Sequence, residues 1–184
     1  MAQPYRSLGS RFAEAAARFP DRPALQLAGE TLTYGKLLAR AAAIAGALPA
    51  AEPSEPPLTA VFGHRSVTAY AGVLAALLRG HGYVPLNPAF PADRTRGMLV
   101  HSRCAAVIVD AHGAKQLDEV LAGVEGSLTL LFPDAEDVSP YAARWPAHRF
   151  LAAGTLRDVR PSQAKEPGPD AIVYLLYTSG STGT

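Results

Sequence analysis

Apolar residues recur at Leu8, Phe12, Ala15, Ala16 and Phe19, the spacing of one helix face, and Pro20 ends the run. The chain is therefore expected to begin with an amphipathic helix of about three turns. Two short apolar stretches then flank Ala28, Gly29 and Glu30, a hairpin signal, and the alanine-rich stretch from Tyr34 to Leu48 reads as a second helix stopped by Pro49. The proline-rich stretch PAAEPSEPP reads as a loop. From Leu58 onward the pattern changes type. Apolar runs LTAVFG, GYVPL, AAVIVD, LTLLF and AIVYLLY read as strands, and SVTAYAGVLAALLRG, PADRTRGMLVHS and GAKQLDEVLAGV read as helices between the first four. Strands with little polar alternation are covered on both faces, which predicts an α/β fold with a largely parallel sheet flanked by helices. Between Asp134 and Pro169 the rhythm breaks. That stretch holds five prolines and the only tryptophan, Trp145, and is expected to be a long irregular connection with one short helix or strand pair. There is no internal repeat and no domain linker.

Composition narrows the class. The 184 residues amount to about one domain, and 48% hydrophobic against 18% charged residues suits a packed core. The formal charge is +1 and no basic run stands out, so neither nucleic acid nor an anionic membrane is expected as a partner. Cys104 is the single cysteine, which precludes an internal disulfide or a thiolate metal cluster and fits a reducing cytoplasm. No apolar run reaches the roughly 18 residues of a membrane span, and MAQPYRSLGSRF lacks the apolar core of a secretion signal. The expectation is a soluble cytoplasmic protein.

The candidate chemistry lies in the final stretch, AIVYLLYTSGSTGT. Thr178, Ser179, Gly180, Ser181, Thr182 and Gly183 run hydroxyl, hydroxyl, glycine twice over, directly behind an apolar strand signal from Ala171 to Tyr177. A flexible linker ordinarily follows a polar, frayed end, so the strand argues for a built turn. Glycines let backbone amides converge on an anion, and hydroxyls at the end of a sheet strand donate to its oxygens. Phosphate binding is therefore the leading reading and a structural turn the alternative. Neither G-x-x-x-x-G-K-[ST] nor G-x-G-x-x-G is present. Ser179 and Ser181 have no G-x-S-x-G frame and no histidine near them in sequence, so no catalytic nucleophile is assigned within the chain. His64, His81, His101, His112 and His148 lack metal-ligand spacing and are read as surface or core residues, so no metal site is assigned. Asp93 and Arg94 are read as a helix start, and Cys104 as a small buried residue.

YTSGSTGT resembles the phosphate-binding motif of the adenylate-forming superfamily, [YF]-T-S-G-[ST]-T-G-x-P-K-G, which includes peptide synthetase adenylation domains, acyl- and aryl-CoA synthetases and luciferases. Two further segments carry the resemblance in the same order. Leu78–Leu99 is similar to L-x-A-G-x-A-Y-V-P-L-D-P-x-Y-P-x-E-R-x-x-x-M-L, sharing Tyr83, Val84, Pro85, Leu86, Pro88, Pro91, Arg94, Met98 and Leu99, and LTYGKL resembles L-T-Y-x-E-L. The resemblance implies that a carboxylate attacks the α-phosphorus of ATP, that pyrophosphate leaves with Mg²⁺ assistance, and that a phosphopantetheine thiol of a carrier protein captures the acyl-adenylate. It places Thr178, Ser179, Gly180, Ser181, Thr182, Gly183 and, at the end of the run, Thr184 on the β- and γ-phosphates.

Departures from the pattern sharpen the expectation. Lys36 replaces the glutamate that would complete a capping box with Thr33, so the helix start there is expected to be weaker. Asn87 in place of aspartate also occurs in acyl-CoA synthetases, whereas FPADRTRGML favours peptide synthetases. An amino-acid adenylation domain leads, with an acyl- or aryl-CoA ligase or fatty-acyl-AMP ligase as alternative, and a noncatalytic fragment serving as an interaction surface as an alternative of another class. The segment HGYVPLNPAF corresponds to a stretch that contacts MbtH-like activators in some peptide synthetases, which makes such an activator a candidate partner. Residues 1–184 are expected to be the incomplete N-terminal portion of the large domain of an adenylation enzyme, inactive without the acyl pocket, ribose-binding aspartate and C-terminal domain of the family.

Overall fold

The computed structural model describes residues 6–27, 29–50, 56–158 and 164–178. Helix α1 (Leu8–Arg18) leads into a hairpin of β1 (Pro23–Leu27) and β2 (Glu30–Thr33), then helix α2 (Tyr34–Ala47). Strand β3 (Leu58–Phe62), helix α3 (Val67–Arg79), strand β4 (Gly82–Leu86), helix α4 (Ala92–Ser102) and strand β5 (Ala106–Val109) follow. The chain continues through α5 (Ala111–Ala114), α6 (Leu117–Leu121), β6 (Thr129–Phe132), α7 (Ser139–Arg144), β7 (Arg149–Ala152) and α8 (Ala153–Asp158).

Five strands form one all-parallel sheet in the order β4-β3-β5-β6-β7. Successive side chains of a strand enter opposite layers. Ala60 and Phe62 of β3 and Val107 and Val109 of β5 pack with Met98, Leu99, Val120 and Leu121 from α4 and α6. Val61, Ala106 and Ile108 pack on the other face with Ala41, Ile44, Ala71 and Ala75 from α2 and α3. The alanines of α2 and α3 let those helices approach each other and the sheet closely. The α/β, largely parallel architecture expected from the apolar runs is the observed one.

Helix starts follow from hydroxyl caps. Ser7 Oγ accepts from Ser10 N before α1, and Ser66 Oγ accepts from Ala69 N before α3. Thr33 Oγ1 accepts from Lys36 N at 3.4 Å, one half of a capping box whose other half Lys36 cannot supply.

Three expectations need correction. The helix expected from Gly113 to Val124 is two short ones, because the Asp110 carboxylate caps the first turn at His112 N and Gly113 N and the chain turns again through Lys115 and Gln116. The irregular connection after Asp134 contains α7, β7 and α8, and β7 is a fifth parallel strand. Its apolar stretch, FLA, is only three residues long and lies between the exposed Arg149 and the start of α8, too short a run to stand out as a strand. Finally, Ala171–Tyr177 is not a buried strand. It bridges β4 in parallel at Tyr174 alone, with Tyr83 N donating to Val173 O and Leu175 N to Tyr83 O. In a parallel ladder the next residue of β4 to face this segment is Pro85, which has no N–H, so the ladder stops. Leu175 and Tyr177 pack on the core, while Ile172, Tyr174 and Leu176 are 45%, 55% and 56% exposed.

Gly82 permits this approach: a Cβ there would stand 2.5 Å from Ile172 O. His81, beside it, is 8% exposed and shares a 2.9 Å hydrogen bond between its Nδ1 and Thr59 Oγ1. Burial, reinforced by the charges of Arg79 and Lys165, lowers its pKa to about 4. A histidine held neutral by folding contributes fully above its unfolded pKa of about 6.5, and that contribution is lost as pH falls from there to about 4. Stability should therefore decline by roughly 3 kcal/mol from this group over that interval. Urea denaturation from pH 7 to pH 4 should show a shallower slope for His81→Gln than for the parent.

Candidate functional site

Counted from β3, the sheet order is 2-1-3-4-5, so the strands to either side of the β3/β5 boundary connect in opposite directions. Ligands of open α/β sheets bind at such a boundary, outside the carboxyl ends of the strands. Here β3 ends in Gly63, His64, Arg65 and Ser66, β5 ends at Asp110, and β4 ends at Asn87.

Asp110 ties these ends together. It is 2% exposed and accepts from His64 N at 2.9 Å, Ser66 Oγ at 2.6 Å, and His112 N and Gly113 N at 2.8 Å each. Burial alone would raise its pKa, but the hydrogen bonds from Ser66, Gly113, His64 and His112 outweigh it and hold the carboxyl below its ordinary value. Gly63 makes room for the carboxylate, since a Cβ would lie 2.6 Å from Asp110 Oδ2. Between the two anchored residues His64 and Ser66, Arg65 adopts a left-handed backbone with φ 45°.

The turn borders two adjoining cavities. One, of about 450 Å³, is lined by His64, Asn87, His112, Lys115, Gln116 and Glu119. The His64 and His112 rings meet edge-on at 6.4 Å, and the buried Oε1 of Gln116 has no hydrogen-bond partner among the described residues, although Nε2 donates to Phe90 O at 3.0 Å. The other, of about 300 Å³, is lined by Arg65, Asn87, Phe90, Met98, Leu176 and Tyr177.

Of the residues expected to bind phosphate, Thr178 is described and exposed. It directly follows Tyr177 at the carboxyl edge of the sheet. Ser179, Gly180, Ser181, Thr182, Gly183 and Thr184 lie outside the described residues. Among the described residues, no group of three or more His, Cys, Asp or Glu side chains is placed to hold a metal ion, and no helix is long and apolar enough to cross a membrane. Cys104 is buried, and burial pushes its thiol up to about 11 despite a hydrogen bond from Ser102. Asp110 and Arg65 were not singled out from sequence. An aspartate closing the apolar run AAVIVD and a glycine closing LTAVFG are the signals that point to them.

Residues 12–184 match the family model described as AMP-binding enzyme. Indigoidine synthase of Dickeya dadantii (strain 3937) is 31% identical over 177 residues, covering 96% of this chain and 11% of the relative. The nonribosomal peptide synthetase agiA of Aspergillus flavus is 30% identical over 175 residues, covering 93% of this chain and 2% of the relative. Among solved structures, the Vibrio cholerae adenylation domain AlmE, in complex with glycyl-adenosine-5'-phosphate, superposes with a TM-score of 0.77 at 23% identity, over 100% of this chain and 35% of that one. The chain thus spans a small part of the curated relatives and about a third of the solved neighbour.

Replacing Asp110 leaves several buried donors without their acceptor. Asp110→Ala should lose about 3 kcal/mol of stability in urea denaturation at pH 7. A folded carboxyl held below its unfolded value stabilises above pH 4 or so and loses that contribution as pH falls through the folded pKa. The variant should lack this acid-side slope.

Proposed function

The chain belongs to the AMP-binding enzyme family, and from that premise we propose that it is the N-terminal part of an amino-acid-activating adenylation domain. In this reading residues 1–184 are the incomplete N-terminal portion of the large domain. The parent joins a carboxylate to ATP, releases pyrophosphate and passes the acyl group from the adenylate to the phosphopantetheine thiol of a carrier protein. The observation that carries the reading is the family match over residues 12–184, a range that includes the hydroxyl and glycine run. A nonribosomal peptide synthetase among the relatives favours an amino acid and a carrier protein over a fatty or aryl acid and free CoA. Asn87 keeps the CoA ligase alternative in view, and pyrophosphate exchange by the parent across amino, fatty and aryl acids separates the two.

The chemical task of this part is to orient and neutralise the leaving pyrophosphate. In an in-line displacement at the α-phosphorus, charge builds on the bridging oxygen and the departing phosphates. Donors fixed in advance stabilise that charge without reorganising. Thr178, Ser179, Ser181 and Thr182 supply hydroxyl donors, and Gly180 and Gly183 give the backbone amides access. Mg²⁺ would add its charge on the phosphate oxygens when bound. Cytoplasmic location fits the single buried cysteine and the supply of ATP. An MbtH-like activator would dock near His81–Phe90. Gly82 stands where such partners commonly meet alanine, and in this fold Gly82 faces the Ile172 carbonyl.

Two outcomes test the reading. Thr178→Ala and Ser181→Ala in the parent should each lower pyrophosphate exchange about tenfold to a hundredfold, as expected for a lost charge-assisted hydrogen bond of about 1.5 to 3 kcal/mol. Wild-type exchange in both would overturn the phosphate assignment. Calorimetry of the 184-residue chain with Mg-ATP should give a dissociation constant in the millimolar range or weaker, about 4 kcal/mol or less of binding. Micromolar binding would mean that the site is contained within these residues.

A further inference from the structure

We propose that Arg65 is an anion-binding residue whose guanidinium receives a phosphate group of a ligand at the carboxyl edge of the sheet, beside Tyr177 and Thr178. The proposal deepens the adenylation reading, which it uses only to name what carries the phosphate. No residue of the Gly63–Ser66 turn belongs to the hydroxyl and glycine run.

Three independent observations converge on this residue. First, its backbone is strained. An arginine at φ 45° occupies a region where glycine is at ease, and a non-glycine residue persists there only when its surroundings over-determine it. Asp110 provides that restraint from both sides, through His64 N at 2.9 Å and Ser66 Oγ at 2.6 Å. A turn needing only this backbone would be made more cheaply by glycine, so the side chain is the reason for an arginine.

Second, the charge is unmatched. Arg40, Arg96, Arg144 and Arg157 each pair with a carboxylate, whereas among the described residues the Arg65 guanidinium makes no ion pair or hydrogen bond. The Asp110 carboxylate, one residue beyond β5, is already engaged by four donors. The cavities on either side of the turn add His64, His112 and Lys115 to the same edge, with Glu119 as the one acidic residue lining them among the described residues.

Third, the location is right. Arg65 and Tyr177 line the same cavity of about 300 Å³, and Thr178 is the next residue of the chain. A planar guanidinium with fixed donors suits phosphate oxygens, which can accept two parallel hydrogen bonds. The phosphate could come from the nucleotide or from the phosphopantetheine arm of the thiol acceptor.

Nuclear magnetic resonance of the ¹⁵N-labelled 184-residue protein distinguishes these sources. Pyrophosphate, Mg-ATP and 4'-phosphopantetheine are titrated separately into the millimolar range, following Arg65 Nε–H and the amides of Gly63–Ser66 and Thr178–Gly183. Saturable shifts at Arg65 are expected. Arg65→Ala should weaken that binding about fivefold to tenfold, on the scale of one charge-assisted hydrogen bond at an open site, with Arg65→Lys in between. The probe saturating Arg65 at the lowest concentration identifies the source. Arg65→Gly should match the alanine variant in binding while its melting temperature stays at or above that of the parent, a combination that a purely structural arginine would not produce. Shifts in Thr178–Gly183 with Arg65 unmoved would overturn the proposal and leave the phosphate-loop reading intact. Silence at both places would overturn the proposal alone, because the phosphate-loop reading already expects millimolar or weaker binding by these residues, and equal affinities of Arg65→Ala and the parent would overturn the proposal as well.

Discussion

One buried carboxylate organises the functional edge of this molecule. A charged group at 2% exposure is tolerated only when its oxygens are occupied, and Asp110 meets that condition with donors from the β3 turn and from the first turn behind β5. The constraint runs in both directions. The donors keep the carboxyl ionised, and the ionised carboxyl holds two segments more than 40 residues apart in one geometry. Gly63 is a consequence of the same contact, because the space that a side chain would fill is taken by the Asp110 carboxylate. The left-handed Arg65 and the meeting of His64 with His112 follow from where that clamp sets the chain.

How far the sequence reveals this fold depends on how local each cause is. Strands β3, β5 and β6 are central, so both their faces are apolar and they stand out as unbroken runs. β7 sits at the edge with only three apolar residues, Phe150 to Ala152, behind an exposed arginine, which leaves RFLA hard to tell from loop. The run Ala171–Tyr177 misleads in the opposite way: its composition is that of a buried strand, but its state is decided by Pro85, nearly 90 residues earlier, which withholds the donor that a longer ladder needs. The split between α5 and α6 likewise comes from the Asp110 cap rather than from any lapse in apolar periodicity.

The site shows the same division. The hydroxyl and glycine run is a contiguous pattern, so it can be read directly, and only Thr178 of it falls among the described residues. The Asp110 clamp has no contiguous pattern, since its members are His64, Ser66, His112 and Gly113 and only the fold brings them together. Polar residues at the ends of apolar strands are the trace that such an arrangement leaves in a sequence, and three ends converge here, at Gly63, Asn87 and Asp110.

The segment beside β4 also bears on the protein's behaviour in solution. With Val173 O and Leu175 N engaged by Tyr83, the N–H and C=O of Tyr174 point away from the sheet, flanked by the exposed side chains of Ile172 and Leu176. An open edge carrying alternate apolar side chains is a template on which any extended chain of matching pattern can add as a new strand. Natural sheets blunt such edges with charge, yet from Ala171 to Tyr177 there is no charged residue. An uncharged ribbon of this kind favours self-association of the isolated polypeptide, and Tyr174→Lys would place a gatekeeper there.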